Sequence, residues 1–583
     1  MFTSVKTLDT VEFDLCANDP QKKVKVLFYH SGGGFSTINS AAWLYPAALQ
    51  LKTYIDLLYP DLAEHVEWLL PMQQEITDAE LIKTIEQTGA TVLCTSHYLW
   101  NHQALTAQLS RVKKKLKQSI TVIAGGPSVN VNIDQDFFNK YPFIDYAVYG
   151  AGEQAFADIM NHLVMHKPLI AFNTSNCAWQ KNGKSVVSDY KFVKMIETSP
   201  FVHNVDLFSS MVNDLKQRTN RLYLPYTLTR GCPYSCTFCD WNSGLGNKVS
   251  RRKNTYQQEI DLFHRLGIKG IYLSDANVGQ YQEDIDMIEY LAEKNITQNA
   301  GFHVGGNFSK LKKENNLKIF HIMARGKLVN KTLNFSIQDT NQQVLQNINR
   351  PDVGWDTHVS MANELREAYP DLVVKAQLIY GLPGQTVDTW QQTLGMLASK
   401  NIWPMIFLNE PLPASPAVYD EEYQKKFQYQ YITSTRYLSK PYQSLLPKQS
   451  VFFNQADIVR MNLLNAIYIA LITVNITAAE ASIAPIDVES SVDKFLQLPQ
   501  YQNLFDNLYN NWTQDNNFYY TQDFSGVSCI TADIYLYQRL LADENFLIWL
   551  GKTMSVDAPK EYWRLVKMRK FAAMADTINM DVD

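Results

Sequence analysis

Three cysteines carry the clearest chemical signal in this chain. Cys232, Cys236 and Cys239 stand in the segment Gly231-Cys232-Pro233-Tyr234-Ser235-Cys236-Thr237-Phe238-Cys239, a C-x3-C-x2-C spacing. A loop this short can offer three thiolates to three corners of an iron–sulfur cubane. The fourth iron then stays open to an amino and a carboxylate group, whereas four-cysteine ligation would close the site and suit simple electron transfer. Structural zinc is the competing reading. It wants four ligands, usually as paired Cys-x2-Cys or Cys/His units. No second pair exists, and the nearest downstream histidine, His264, is 25 residues beyond Cys239 on an expected helix. The other four of the seven cysteines, Cys16, Cys94, Cys177 and Cys529, are scattered. That pattern fits a reduced compartment with one metal site and not a disulfide framework.

The elements around the motif follow from apolar runs. The motif comes directly after a strand candidate, Tyr226–Thr229. Five more follow at Ile271–Ser274, Gly301–Val304, Leu333–Ile337, Val374–Ile379 and Pro404–Leu408, with helical stretches between them. Six strand–helix repeats suggest a barrel or partial barrel with its chemistry at the carboxyl ends of the strands. Upstream, residues 24–30, 91–95, 120–124 and 146–149 are apolar runs ending in loops of small or polar residues, and a helical stretch runs from about Ala41 to Leu58. This alternation predicts a parallel sheet covered on both faces, with ligands beyond the strand ends. Glu197-Thr198-Ser199-Pro200-Phe201 reads as a crossing between domains. Residues 421–583 read as mainly helical. The apolar run Leu463–Ile476 contains Asn465 and Asn475 and is shorter than the ~20 residues of a bilayer span, so it reads as a buried helix.

With Phe238 before the third cysteine, the motif resembles the radical S-adenosylmethionine (SAM) superfamily signature, in which the backbone at that aromatic position meets the adenine. Later segments agree with the resemblance. Ser274-Asp275-Ala276-Asn277-Val278-Gly279 ends the second strand, where that superfamily binds the SAM amino group. It departs from the common Gly-Gly-Glu form and resembles a cobalamin-binding group within the superfamily. Ser336-Ile337-Gln338-Asp339 ends the fourth strand, and Tyr380-Gly381-Leu382-Pro383-Gly384-Gln385-Thr386 resembles the Gly-Leu-Pro-Gly turn after the fifth. The resemblance implies a [4Fe–4S] cluster on Cys232, Cys236 and Cys239, and SAM contacts at Phe238, Asp275, Asn277, Ser336, Gln338 and Gly381.

The amino-terminal region lacks the Gly-x-Gly-x-x-Gly of a dinucleotide fold, since its first loop reads Ser31-Gly32-Gly33-Gly34-Phe35-Ser36. Its position and loops instead resemble the cobalamin-binding domain that precedes many radical SAM domains. Cobalamin contacts are then implied at Ser31, Gly32, Gly33, Thr95, Ser96, His97, Tyr98, Gly125, Gly126, Pro127, Gly150, Gly152 and Glu153, with small residues letting the corrin approach the backbone. The Asp-x-His-x-x-Gly motif that donates an axial histidine is absent, which implies a base-off cofactor. His97 lies where it could face the cobalt, although a lone loop histidine is more often a hydrogen-bonding group.

The expected fold class is α/β. It comprises a Rossmann-like cobalamin-binding domain (residues 1–165), a linker (166–220), a partial (β/α)6-barrel radical SAM domain (221–420) and a mainly helical substrate-capping region (421–583). The resemblance extends over residues 24–420 and thins beyond. It implies reductive cleavage of SAM to a 5′-deoxyadenosyl radical, hydrogen removal from an unactivated carbon, and methyl delivery from methylcobalamin, which a second SAM regenerates. Rearrangement or cyclisation without methyl transfer is the alternative. A cobalamin or redox sensor and an RNA methylthiotransferase are weaker ones, the last because Cys16, Cys94 and Cys177 are too dispersed for a second cluster. A flavodoxin- or ferredoxin-type reductant and an organic or peptide substrate are the implied partners. A composition of 46% apolar and 19% charged residues, with a net charge of −5, argues against disorder and gives no reason to expect a nucleic-acid or membrane partner. The first twenty residues show no secretory signal, so a cytoplasmic location is expected.

Overall fold

The computed structural model describes residues 23–31, 42–130, 136–170, 173–181, 184–241, 247–253, 255–308, 311–329, 332–412, 415–437, 441–480, 487–499, 502–503, 506 and 510. The chain divides into two compact units. One holds residues 1–36, 40–225 and 250–267, and the other holds 37–39, 226–249 and 268–583.

The first unit is built on a seven-stranded sheet. In spatial order its strands are Val66–Trp68, Val24–Tyr29, Val92–Ser96, Thr121–Gly125, Tyr146–Val148, Cys177–Lys181 and Lys184–Val187. The first five are parallel to one another, and the last two run antiparallel. Parallel strands are buried on both faces and read as continuous apolar runs, which is why four of them were legible in the sequence. Alternate residues confirm the two covered faces. Val26 and Phe28 pack into one hydrophobic core with Phe156 and Met160. Leu27 and Tyr29 pack into another with Leu93, Leu109 and Val122.

Two expectations are corrected in this unit. Residues 166–220 are more than a linker, because Cys177–Lys181 and Lys184–Val187 extend the sheet and Val205–Lys216 is a helix. The helix expected from about Ala41 spans Ala47–Leu58, and Ala42–Trp43 instead pairs parallel with Leu222–Tyr223.

In the second unit the expected strands occur at Gly270–Val278, Thr332–Gln338, Val373–Tyr380 and Trp403–Leu408, and the one expected at Gly301–Val304 lies later, at His303–Phe308. In chain order, the first two of these five form one parallel ladder and the last three another. The strand before the motif is Leu222–Tyr226, earlier than its expected place at Tyr226–Thr229. The α/β class and partial-barrel character hold.

The region after residue 420 is not purely helical. Gln430–Tyr437 and Pro441–Gln449 form an antiparallel hairpin. The helix Gln455–Glu480 follows, and its described residues from Met461 to Ile472 are buried. Its polar residues have buried partners: Trp390 Nε1 donates to Asn465 Oδ1 at 2.6 Å, and Asn462 Nδ2 donates to the Tyr380 hydroxyl at 2.9 Å. The apolar run is thus a core helix. Among the described residues no helix is long and apolar enough to cross a membrane.

Candidate cluster and cofactor sites

The cysteine loop is fixed from several sides. It begins at Gly231, whose φ of +85° and separation of 2.2 Å between an ideal Cβ and the Lys248 carbonyl oxygen leave room for glycine alone. Thr237 N–H donates to the Ile348 carbonyl at 3.0 Å, and the Thr237 carbonyl accepts from Ala417 N–H at 2.8 Å. Asn349 Nδ2 donates to the Ser235 carbonyl at 3.2 Å and hydroxyl at 2.6 Å. Phe238 packs against Val344, Leu345, Ile348 and Leu382. Its side chain is therefore an anchor, and its backbone is the part left to meet a ligand.

Cys232 and Cys236 are buried, and Cys239 is half-buried. Each buried thiol has a polar neighbour. Asn277 Nδ2 donates to Cys232 Sγ at 3.1 Å. The Arg350 guanidinium hydrogen-bonds Cys236 and is within electrostatic reach of Cys239 and Asp352. Burial pulls the Arg350 pKa down, and these negative groups pull it back up. No group of three or more described His, Cys, Asp or Glu side chains converges as a single metal ion requires. A cubane binds its thiolates at separate corners and needs no such convergence.

The residues expected to meet SAM fall into two groups. Asp275, Ser336 and Gly381 are engaged by the chain itself. Asp275 Oδ1 accepts from Leu228 N–H at 2.9 Å, and the carboxylate also bonds the Thr229 backbone and hydroxyl. Burial pushes its pKa up to about 6 against these bonds. Asp275 therefore holds the turn that leads into the cysteine loop. Ser336 Oγ donates to Gln377 Oε1 at 2.7 Å, and its carbonyl accepts from Arg350 Nη2. The Gly381 carbonyl accepts from Asn409 Nδ2 at 3.1 Å and from the Tyr429 hydroxyl at 2.9 Å.

Asn277 and Gln338 differ. Asn277 Oδ1 is buried without a partner, on the same side chain that bonds Cys232. Gln338 is buried at φ +68°, just past a register shift in its ladder. A non-glycine residue in that conformation is strained, and such strain clusters at functional sites.

In the first unit the loops after Ser96, Gly125 and Val148 are largely described, whereas only His30 and Ser31 of the loop after Tyr29 are, and Gly32 and Gly33 lie outside the described residues. His97 heads a buried chain of hydrogen bonds. Its Nε2 is 3.0 Å from Thr95 Oγ1, its Nδ1 is 3.2 Å from His102 Nδ1, and His102 Nε2 is 3.3 Å from the Tyr141 hydroxyl. Thr95 Oγ1 in turn donates to the Ile123 carbonyl at 3.5 Å. One assignment of protons satisfies the whole chain. Tyr141 O–H donates to His102, His102 Nδ1–H to His97, and His97 Nε2–H to Thr95. Burial, helped by His102 and His30, lowers the His97 pKa to about 3, so the ring is neutral. Both ring nitrogens are occupied, and His97 has none left for a cobalt ion.

Asn101 ties the loops together by donating Nδ2 to the Ser31 carbonyl, the Ser31 hydroxyl and the Ser96 carbonyl, while its Oδ1 accepts from Tyr98 N–H at 2.7 Å. At Gly126, φ is +101° and an ideal Cβ would stand 2.5 Å from the His97 carbonyl oxygen. At Gly150, φ is +63° and a Cβ would stand 2.7 Å from the Tyr190 ring. These two glycines are thus required by the chain's own packing, before any ligand is considered. Gly125 meets only ordinary contacts, Gly152 lies beside Val148, Pro127 opens a short helix, and Glu153 is buried at the start of the helix Glu153–Met165.

Sequence reasoning passed over three residues of these regions. His30 and Trp100 each carry a buried ring nitrogen without a partner, His30 Nε2 and Trp100 Nε1. His30 was hidden as the last residue of an apolar run. Arg350 lies in Asn349-Arg350-Pro351, a segment with no signal until the contact with Cys236 is seen.

Comparison with known proteins agrees with this geometry. Residues 226–397 match the radical SAM superfamily, and they contain all three cysteines together with Asp275, Asn277, Ser336, Gln338 and Gly381. The second unit therefore carries a radical SAM domain. The cobalamin-dependent radical SAM methyltransferase TokK of Streptomyces tokunonensis is 29% identical over 315 residues, covering 52% of this chain and 44% of TokK. The 2-(S-pantetheinyl)-carbapenam-3-carboxylate methyltransferase of Streptantibioticus cattleyicolor is 28% identical over 319 residues, covering 53% of this chain and 45% of that enzyme. The chain thus spans less than half the length of these curated relatives. The cobalamin-dependent SAM radical enzyme OxsB has the same fold, with a TM-score of 0.56 and 13% identity over 96% of this chain and 85% of OxsB. Beyond the radical SAM domain, the chain is similar to cobalamin-dependent radical SAM enzymes in sequence and in fold.

Proposed function

We propose that this protein is a cobalamin-dependent radical SAM methyltransferase that methylates an unactivated carbon of an organic or peptide substrate. The observation that carries the reading is the pairing of three cysteines, with no fourth ligand among the described residues, and a buried unpaired acceptor beside them. Cys232, Cys236 and Cys239 would hold a [4Fe–4S] cluster. Asn277, whose Nδ2 already bonds Cys232, keeps Oδ1 for the amino group of SAM. Gln338 and the backbone at Phe238 complete the SAM contacts, while Asp275, Ser336 and Gly381 act as positioning residues. In the first unit, His30 Nε2 and Trp100 Nε1 are the unpaired groups suited to the amide-rich rim of a corrin, alongside the backbone of Ser96, Tyr98 and Gly125. When bound, the cluster and the corrin supply one-electron and methyl-transfer chemistry, and the protein supplies orientation and the exclusion of water.

The dispersed cysteines of the first unit do not favour a methylthiotransferase. Cys94 and Cys177 are buried, and burial raises both thiols, that of Cys177 to about 12. The relatives named above favour methyl transfer over rearrangement. A flavodoxin- or ferredoxin-type protein would supply electrons, consistent with a cytoplasmic setting.

The test is binding followed by product analysis. Hydroxocobalamin should remain with the protein through gel filtration at about one per chain. Incubation with SAM and a strong reductant should then give both S-adenosylhomocysteine and 5′-deoxyadenosine. 5′-Deoxyadenosine without S-adenosylhomocysteine would overturn methyl transfer in favour of rearrangement. Failure to retain cobalamin would remove the first unit's proposed role.

A further inference from the structure

Arg350 is a charged side chain that the structure sets against a cluster cysteine, and its surroundings are costly. It is only 6% exposed, and its Nη2 donates to the Ser336 carbonyl. Its guanidinium also bonds Cys236, yet its Nε is buried with no partner. An unpaired buried donor on a charged group carries the full cost of its lost hydration, and a buried cation is itself expensive unless an anion faces it. A residue that served only to fill space would not need the charge.

The segment holding Arg350 is aligned residue by residue with the cysteine loop. The Ile348 carbonyl accepts from Thr237 N–H, Asn349 Nδ2 bonds Ser235, and Arg350 bonds the intervening Cys236. The helix Gln342–Asn347 ends just before this segment, and Asn349 at φ +51° turns the chain out of it. Asp352 follows within electrostatic reach of Arg350 and is in turn paired with His358 Nε2 at 3.0 Å. The arginine is thus held between the Ser336 carbonyl, the thiols and a carboxylate.

We propose that Arg350 is a positioning residue that sets the reduction potential of the iron–sulfur cluster, through a fixed positive charge and a hydrogen bond on the Cys236 sulfur. Reduction adds one negative charge to the cluster. A cation and a sulfur-directed hydrogen bond stabilise that charge, and both are recognised determinants of cluster potential. The fork of arginine lets one group bond the Ser336 carbonyl and the thiolate together, which a lysine ammonium on a flexible stem cannot match. Asn349 has a separate role, because it holds the loop at Ser235 without placing charge at the sulfur.

This inference rests on the cluster assignment above, and the experiment separates the two. The full-length protein is reconstituted anaerobically with iron and sulfide. Iron, sulfide and the electron paramagnetic resonance signal of the reduced state are measured first. A wild-type protein that holds no [4Fe–4S] cluster removes the assignment itself. With the cluster present, the midpoint potential is found by redox titration without SAM for wild type, Arg350→Lys, Arg350→Gln and Asn349→Ala. The expected order is wild type highest, Arg350→Lys lower and Arg350→Gln lowest. Asn349→Ala should hold the wild-type potential while losing cluster faster to a chelator. If Arg350→Gln does not retain its cluster, Arg350→Lys against wild type decides alone. A fully loaded Arg350 variant at the wild-type potential overturns the proposal.

Discussion

The two buried thiols of the motif face different chemistry. Cys232 receives a neutral amide from Asn277, and Cys236 faces the Arg350 cation. Asn277→Ala should therefore leave iron content intact while weakening SAM binding by roughly tenfold, the effect of one lost hydrogen bond of about 1–1.5 kcal/mol. Equilibrium binding to the reconstituted protein checks this, and an unchanged affinity would remove Asn277 from the SAM site. His97→Ala should leave the visible spectrum of bound cobalamin unchanged, because neither ring nitrogen is free. A shift of the cobalt bands would show that the ring leaves its hydrogen-bonded chain to ligate. The cysteines were legible from spacing alone, since ligand geometry is written into a nine-residue stretch. Arg350 was not, because its meaning lies in a segment that meets the loop from 114 positions away, the separation of Asn349 and Ser235.

At the scale of elements, the loops that end the parallel strands are held by their own contacts. Gly126→Ala combines a positive φ with a backbone clash at His97, so it should destabilise the first unit by about 2 kcal/mol or more. Gly125→Ala, with its nearest neighbour atom at 3.7 Å, should cost far less. Thermal unfolding of the two variants makes the comparison, and equal losses would contradict the packing explanation. His30 and His97 are both held neutral, each with its pKa lowered to about 3. The unfolded chain binds protons at these histidines near pH 6.5, whereas the folded chain does not. Their stabilising contribution is complete above about pH 6.5 and falls away as pH drops toward 3, by up to several kcal/mol. The melting temperature should fall steadily through that window, and less steeply in His97→Gln. Four of the parallel strands of the first unit and most of those of the second were legible because their apolar runs are continuous. Val66–Trp68 is only three residues long, and Lys184–Val187 lacks a buried residue altogether. Such edge strands are specified by the neighbour they pair with, and no run marks them in the sequence.

Across the molecule, the long buried helix after residue 454 is bound to the radical SAM domain by polar pairs within an apolar interface. Asn465→Leu alone would strand the indole N–H of Trp390 and should cost about 1–3 kcal/mol. Adding Trp390→Phe should recover part of that loss, a coupling that a double-mutant cycle measures directly. The sequence was informative about this helix, whose apolar run is unmistakable, and uninformative about the hairpin before it. The strands Gln430–Tyr437 and Pro441–Gln449 are rich in Gln, Ser, Thr and Tyr and show no apolar run. The substrate was likewise not legible, because selecting it falls to a particular arrangement of side chains and not to a motif.

The proposed chemistry depends on three cysteines holding a cluster with an iron open to SAM. Its most direct test is anaerobic incubation of the reconstituted full-length protein with SAM and a strong reductant, with 5′-deoxyadenosine followed by mass spectrometry. Wild type should give 5′-deoxyadenosine and Cys236→Ala none, with cobalamin binding equal in both. A wild-type protein that carries a full [4Fe–4S] cluster and binds SAM, yet never cleaves it, would show that the open iron does not serve this chemistry.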